Sequence, residues 1–180
     1  MSEFLDPNTV SNSDEQYRLH MERYAWARDA IKGSIVANAA CSCNYGYEIL
    51  KTPGRLVIGF DRNKSALDLA RSRGLNMFIE KDIQGETFDG FTSLVCLETF
   101  EHLQSPWEFL GGLSSTIKEI VLSTPIIPTK HFNEWHLHDF TEDEVKNGMQ
   151  SLGWNIEQVK YQDEQMLSKP TYIWIYATKR

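Results

Sequence analysis

Short apolar segments alternate with amphipathic segments through most of the 180-residue chain. The apolar segments predict β-strands at Ser34–Ala40, Arg55–Phe60, Asn76–Ile79, Phe91–Leu97 and Glu119–Leu122. Segments with helical spacing precede, separate and follow these strands, and they predict helices at Glu15–Lys32, Tyr45–Lys51, Lys64–Arg73, Pro106–Ser115 and Glu142–Leu152. Strands that alternate with helices indicate a parallel sheet covered by helices on both faces.

The two ends of the chain depart from this alternation. The apolar segments Trp154–Tyr161 and Thr171–Thr178 are joined by the polar stretch Gln162–Pro170, with no helical spacing between them. Because a parallel connection needs a crossover, these two strands are expected to pair antiparallel. Residues 1–12 are polar and rich in turn formers, so they predict a flexible N-terminal arm before a single domain over 13–180.

Composition narrows the class of protein. The chain has 18 basic and 25 acidic residues, a net charge of −7 that gives no support to nucleic-acid binding. Its longest apolar runs, such as Tyr172–Ala177, fall far short of the roughly 20 residues of a membrane span, and its first residues lack a signal-peptide pattern. The three cysteines form no disulfide framework, and Cys41 and Cys43 lack the partners of a tetrahedral metal site. We expect a cytoplasmic protein with no membrane partner.

Polar residues stand at the carboxyl ends of four successive predicted strands, where open α/β sheets bind their ligands. They are Asn38, Asp61, Asp82 and Glu98. Asp61 stands where an acceptor for ribose hydroxyls is needed, and its alternative role is the N-cap of the following helix. Asp82 could accept a hydrogen bond from an adenine amino group, with Ile83 or Phe78 against the base, or be an ordinary loop residue.

The turn after the first predicted strand, residues 38–46, lacks the glycine pattern that a dinucleotide pyrophosphate requires. Only Gly46 is a glycine, and the small residues Ala40, Ser42 and Asn44 take the other positions. The pattern argues against a nicotinamide oxidoreductase and suits a nucleoside ligand without phosphates. A tight turn with no ligand is the alternative.

These motifs resemble those of class I S-adenosylmethionine-dependent methyltransferases, in particular the small bacterial and phage-type enzymes of the type 11/23 kind. The matching segments are Arg23-Tyr24, Tyr45-Gly46, Val57–Asp61, Ala66–Arg71, Phe88–Gly90, Cys96–Leu103, Leu122–Pro125 and His136–Glu142. The resemblance implies a Rossmann-like, three-layer α/β sandwich with a seven-stranded, mostly parallel sheet and an antiparallel C-terminal strand pair. It also implies S-adenosyl-L-methionine as the cofactor.

The resemblance further implies a cofactor site, position by position. The methionine portion would be surrounded by Asn38, Ala40, Tyr45 and Gly46, and its carboxylate would be reached by Tyr24. The ribose would be held by Asp61, and the adenine would be met by Arg62, Asp82 and Ile83. The sulfonium would lie near Leu97 and Glu98. Most members of the family carry an acidic residue in place of Asn38 and glycines in place of Ser42 and Asn44. This chain therefore departs from the family at the cofactor turn.

The predicted catalytic residues are His102 and His138. Methyl transfer is an in-line displacement that requires alignment and, for a protonated acceptor, a base, and histidine titrates in a suitable range. His102 could instead be a structural hydrogen-bonding residue. The segment with His131, Trp135, His136 and His138 is expected to form a wall or lid of the acceptor site, with metal binding by His136 and His138 as the alternative; no metal is predicted.

The sequence thus predicts a methyltransferase acting on an oxygen, nitrogen or carbon nucleophile, with a small molecule or glycan as the expected acceptor. The rival interpretation is a catalytically silent relative, a binding or regulatory subunit with the same fold. The altered turn at residues 38–44 favours this second interpretation.

Overall fold

The computed structural model describes residues 15–126, 135–162 and 172–179. The predicted N-terminal arm, His131 and the connection over 163–171 lie outside the described residues. The helices are α1 Glu15–Ala30, α2 Tyr47–Leu50, α3 Lys64–Ser72, α4 Pro106–Gly111 and α5 Glu142–Ser151, with a 3-10 turn at Phe100–His102. The strands are β1 Ile35–Ala39, β2 Leu56–Asp61, β3 Phe78–Glu80, β4 Ser93–Leu97, β5 Glu119–Pro125, β6 Asn155–Gln162 and β7 Tyr172–Thr178.

The seven strands form one sheet in the order β3-β2-β1-β4-β5-β7-β6. The first five are parallel, whereas β7 pairs antiparallel with both β5 and β6. This arrangement confirms the predicted fold class, including the reversed C-terminal pair. Because β1 and β4 are neighbours although they are not consecutive, the strand order reverses between them, and their carboxyl ends flank the crevice where such sheets bind ligands.

Local hydrogen bonds set several element boundaries that the pattern alone predicted differently. Asn63 is the N-cap of α3, its side chain accepting from the Ala66 amide at 3.2 Å, so the alternative N-cap role for Asp61 is wrong. Helix α4 ends at Gly111, four residues before the predicted end, because glycine is a weak helix former and the Ser114 amide donates to Thr87 at 2.8 Å outside the helix.

Strand β5 extends to Pro125, three residues beyond its predicted end at Leu122. Its extension includes Ser123 and Thr124, whose polar character ended the apolar run in the sequence. Both are fully buried, and their hydroxyls bond the carboxylates of Glu98 and Glu101. These two hydroxyls therefore serve the site at the carboxyl ends of the strands.

Two apolar clusters cover the two faces of the sheet. Alternate residues of a strand enter opposite clusters: Val36 and Val95 pack with α1 and α2, whereas Ala37 and Leu94 pack with the cluster on the α4 and α5 side. The two layers hold the carboxyl ends of the central strands in place. Among the described residues, no helix combines the length and the apolar character that crossing a bilayer demands.

Candidate active site

The turn that follows β1 adopts a backbone that usually requires glycine. Ala40, Ser42 and Asn44 have positive φ values of 51°, 54° and 54°. Left-handed backbone costs roughly 1–2 kcal/mol for a residue with a Cβ, and asparagine tolerates it better than most. The Asn44 amide donates to Cys41 at 2.8 Å, and the Cys41 amide donates to Phe60 of β2 at 2.9 Å. The turn thus keeps its compact form despite its missing glycines.

Asp61, the last residue of β2, joins this turn to α3. One carboxylate oxygen accepts from the Ser42 amide and the other from the Asn63 amide, both at 2.7 Å. The residue is 9% exposed. The Asp61 carboxylate therefore fixes the turn after β1 to the start of α3 at the carboxyl edge of the sheet.

The residues predicted to meet adenine lie beyond Asp61 in two different environments. Arg62 and Asp82 form an ion pair of 3.2 Å at the exposed rim, and Asp82 also accepts from the Gln84 amide at 2.9 Å. Ile83, in contrast, is buried and packs in the core cluster that contains Phe88. The ion pair therefore joins the loops after β2 and β3 next to the proposed ribose position.

Helix α1 contributes Tyr24, which lies against the turn from the other side. Its ring occupies the space that a Cβ at Gly46 would need, which explains why this position in the turn is a glycine. The Tyr24 and Tyr45 rings meet edge to face, 5.6 Å apart. Burial raises the pKa of Tyr24, against a smaller opposite effect of the neighbouring Asn38 amide, and burial also raises the pKa of Tyr45. Both hydroxyls are therefore neutral.

The Tyr45 hydroxyl is hydrogen-bonded to Nδ1 of His20, also in α1, at 2.9 Å. Burial, and to a smaller extent the positive charge of Arg23, lower the pKa of His20 to about 3. The imidazole is therefore neutral near pH 7 and can accept this hydrogen bond. The interaction fixes the orientation of Tyr45 over the turn.

Arg23 of α1 also lies at this edge of the sheet, and the sequence pattern did not predict it there. Its side chain is fully buried, its Nε donates to Gln162 at 2.8 Å, and its guanidinium lies 4.1 Å from the centroid of the Tyr172 ring. One terminal nitrogen is 3.7 Å from a Glu98 oxygen, but neither terminal nitrogen has a hydrogen-bond partner. The signal in the sequence was a charge on the buried stripe of α1, between Leu19 and Ala27.

Asn38 completes this side of the site at the end of β1. It is fully buried, and neither atom of its amide makes a hydrogen bond of standard geometry. It stands in register with Gly59 of β2 and Val95 of β4. Buried polar groups are normally satisfied, so the Asn38 amide and the Arg23 guanidinium indicate a position for a polar ligand.

Glu98 directly follows the buried residue Leu97 at the end of β4. Its φ of 48° places a non-glycine residue in the left-handed region, which costs roughly 1–2 kcal/mol. Ser123 of β5 accepts from the Glu98 amide at 3.0 Å and donates its hydroxyl to the Glu98 carboxylate at 2.7 Å. Glu98 thus lies between Arg23 and β5 with a strained backbone, and backbone strain of this kind is common at functional sites.

The 3-10 turn after Glu98 brings Glu101 and His102 to the segment 135–138. The Glu101 carbonyl accepts from the Leu137 amide at 2.9 Å, and His102 Nδ1 bonds the Trp135 carbonyl at 2.8 Å. The rings of His102 and His136 are 4.8 Å apart. Burial, and then the nearby Glu98, raise the pKa of Glu101 well above its usual range. The fold therefore brings the side chains of Glu101, His102 and His136 close together.

His138 lies in a different environment from His102. Its Nε2 bonds the Leu103 carbonyl at 2.9 Å, and its ring stacks on Phe140. It lines a cavity of about 570 Å³ with Trp107 and residues of α5, and this lining includes none of the predicted cofactor residues. Both predicted catalytic histidines bond a backbone carbonyl, but only His102 lies next to Glu101 and His136.

The fold has many counterparts among solved structures, although no family model and no curated protein matches the chain. Magnesium protoporphyrin IX methyltransferase (ChlM) from Synechocystis PCC 6803, with bound SAH, has a TM-score of 0.75 at 14% identity over 95% of this chain and 89% of that chain. The methyltransferase domain of bacterial CtHen1-C has a TM-score of 0.69 at 14% identity, over 91% of this chain and 98% of that chain. The [4+2]-cyclase SpnF has a TM-score of 0.71 at 10% identity over 98% and 86%.

The chain has the fold of class I S-adenosylmethionine-dependent methyltransferases. At identities of 10–14%, the likeness concerns the fold. A cyclase among the similar structures illustrates that one fold supports different reactions, so the function must be argued from the site.

Proposed function

We propose that the protein is an S-adenosylmethionine-dependent methyltransferase whose cofactor lies across the carboxyl ends of β2, β1 and β4. The observation that carries the proposal is the pair of terminal nitrogens of the Arg23 guanidinium, which are buried at this edge without a hydrogen-bond partner, close to the buried Asn38 amide. An amino-acid tail has the carboxylate that a guanidinium binds and the ammonium group that an amide oxygen accepts from. The bound SAH in ChlM, which has the same fold, also supports the proposal.

The proposal changes the residue that binds the carboxylate of the cofactor's methionine portion. Arg23 binds its carboxylate, because two donor nitrogens are buried there without an acceptor. Tyr24, which the resemblance placed on the carboxylate, instead supports the site by packing on Gly46 next to Asn38. The other groups keep their predicted places: Ala40 and Tyr45 beside the tail, Leu97 and Glu98 near the sulfonium, Asp61 on the ribose, and Arg62, Asp82 and Ile83 at the adenine.

When bound, the cofactor supplies a methyl group on a positively charged sulfur. Glu98, held by Ser123, favours a cation at the end of β4, and the buried walls of the site exclude water. The acceptor lies on the side of His102, whose Nε2 is the nitrogen not bonded to the Trp135 carbonyl. S-adenosylmethionine held there would supply the methyl group to the acceptor's nucleophile, and the proton that the acceptor loses would pass to solvent on the side of the partly exposed His102 side chain.

A thermal shift assay with S-adenosylmethionine and S-adenosylhomocysteine tests cofactor binding. At about 100 times the dissociation constant, a ligand adds roughly 2.7 kcal/mol, which raises Tm by about 5–11 °C for a chain of this size. Asp61→Asn should lose most of this shift, whereas the matched change Asp68→Asn, on the exposed face of α3, should keep it. No shift in the wild-type protein at millimolar ligand would overturn the proposal in favour of a silent relative.

We further propose a small molecule or glycan as the acceptor, and the cytoplasm as the compartment. Trp135 and Leu137 are 51% and 57% exposed next to His102, and such exposed apolar side chains suit a small ring system. Within the part of the chain that the structure describes, Cys41, Cys43 and Cys96 form no disulfide, which fits a reducing compartment. Incubation with a methyl-labelled cofactor and a cell extract tests the acceptor class, and label recovered in nucleic acid would contradict it.

A further inference from the structure

A group of three potential metal ligands lies beyond Glu98, on elements that are distant in the sequence. Glu101, His102 and His136 each offer one ligand atom, and these atoms all lie within 4.8 Å of one another. Nε2 of His102 is 3.9 Å from Oε1 of Glu101, too far for a hydrogen bond. Ligands of a zinc ion with bonds of about 2.0–2.2 Å are roughly 3.4 Å apart, so small side-chain rotations would close the site.

The Glu101 carboxylate provides an independent indication of a ligand. The residue is 1% exposed, and its Oε2 accepts from the Thr124 hydroxyl at 3.0 Å. Its Oε1, the atom nearest to His102, is buried and has no hydrogen-bond partner. Burying a carboxyl oxygen without a hydrogen bond costs free energy of folding, and a cation within bonding distance would compensate for the missing partner.

The surrounding hydrogen bonds orient two of these groups as in known metal sites. His102 Nδ1 bonds the Trp135 carbonyl at 2.8 Å, so Nδ1 carries the proton and the lone pair is on Nε2. Metal-bound histidines generally donate their other ring N–H to a carbonyl or carboxylate. Thr124 holds Glu101 in the same manner, since it occupies one oxygen and leaves the other for the ion.

We propose that Glu101, His102 and His136 bind a divalent transition-metal ion, for which zinc(II) is the best match. Two imidazoles and one carboxylate suit zinc and its neighbours in the first transition row, whereas magnesium prefers oxygen ligands. Three protein ligands leave a coordination position that solvent can fill, on the side where the His102 side chain is 35% exposed. The inference goes beyond the proposed function and does not depend on cofactor binding.

Metal binding also changes the role available to His102. A nitrogen that coordinates a metal ion has no free lone pair, so His102 cannot at the same time be the general base predicted from the sequence. The two roles exclude each other, and a direct measurement of metal binding decides between them.

The test is a titration of chelator-treated protein with zinc chloride, in competition with a chromophoric chelator. We expect one zinc ion per chain, weakened at least about tenfold by His136→Gln and by Glu101→Gln, which keeps the size of the side chain and the Thr124 hydrogen bond. The matched control is His138→Gln, because His138 is in the same segment but bonds the Leu103 carbonyl. Magnesium chloride in place of zinc should show no saturable binding.

A second readout uses cobalt(II), whose visible absorption reports its ligands, and should lose intensity in His136→Gln but not in His138→Gln. Circular dichroism of each metal-free variant shows that it is folded. No saturable zinc binding in the wild-type protein, or equal zinc affinity in wild type, His136→Gln and Glu101→Gln, would overturn the metal site. The S-adenosylhomocysteine response of the metal-free protein is measured separately, so failure of one proposal is distinguishable from failure of the other.

Discussion

At the amino edge of the sheet, charged side chains bond the backbone around them. The Arg55 guanidinium, just before β2, donates to the carbonyls of Arg28, Leu50 and Ile31 at 2.7–3.2 Å. Glu119, at the start of β5, accepts from the Lys32 and Gly33 amides at 2.7 and 3.3 Å. At the carboxyl edge, in contrast, terminal nitrogens of Arg23 and one oxygen of Glu101 are buried without hydrogen bonds.

This difference distinguishes polar groups that stabilise the fold from polar groups that have no partner within the protein. Both edges contain an arginine and a glutamate near the same central strands, so residue type alone does not distinguish them. Two neutral groups at the amino edge, the Ser93 hydroxyl and the Trp154 indole N–H, also lack a partner. Ser42 and Glu98, whose backbones are strained by positive φ values, also lie at the carboxyl edge. Substitutions at the amino edge should therefore change stability alone, and those at the carboxyl edge should change binding.

The largest expected effect comes from the matched pair Arg23→Lys and Arg55→Lys, which keep the charge and remove the planar fork. Loss of one charge-assisted hydrogen bond costs about 1.5–3 kcal/mol, so Arg23→Lys should weaken S-adenosylhomocysteine binding roughly 10- to 150-fold in calorimetric titration. Arg55→Lys should lower Tm by a few degrees and leave the affinity unchanged. Equal affinities in Arg23→Lys and wild type would remove Arg23 from the cofactor site.

A pH dependence of stability should arise from His20 at the carboxyl edge. Its pKa is lowered to about 3 in the folded protein, against about 6.5 when unfolded, so the unfolded chain binds the extra proton first. The contribution of His20 to stability is present above pH 6.5 and is lost as the pH falls from about 6.5 toward 3. Between pH 6.5 and 5 the loss is at most about 2 kcal/mol.

The variant His20→Asn isolates this contribution, because it keeps an acceptor for Tyr45 but does not titrate. Urea unfolding at pH 7, 6 and 5 should show a shallower loss of stability in the variant than in the wild type. Identical slopes in the two proteins would mean that His20 is protonated in the folded state as readily as in the unfolded chain.

The smallest expected effect distinguishes two residues of the turn after β1. Ser42 is left-handed and its hydroxyl is unsatisfied, so Ser42→Gly should raise the free energy of unfolding by about 0.5 kcal/mol. Asn44 tolerates the same backbone and donates to the Met77 carbonyl at 3.2 Å, so Asn44→Gly should lower it by about 0.5–1.5 kcal/mol. Denaturant unfolding measures both, and a change of the same sign in the two variants would contradict this account.

The periodic pattern of the chain predicted the fold well, because period and turn chemistry are local. The alternation of strands and helices and the reversed pair β6 and β7 are confirmed. The predicted boundaries were wrong where contacts with distant residues determine the structure. Strand β5 continues through Ser123 and Thr124 because their hydroxyls bond Glu98 and Glu101 and their backbone pairs with β7. The strand-end positions of Asn38 and Asp61 followed from the same pattern, while their binding roles remain predictions.

By itself, the sequence determined the order of elements, the acidic balance and the set of polar residues at the ends of the strands, since each depends on neighbouring residues or on composition. Only the tertiary structure decided that Arg23 is buried beside Glu98, and that His136 reaches Glu101 and His102. These contacts join residues more than 30 positions apart, and whether a buried polar atom has a partner depends on the packing of the whole edge. The sequence names the candidate groups, and packing decides which of them are left for a ligand.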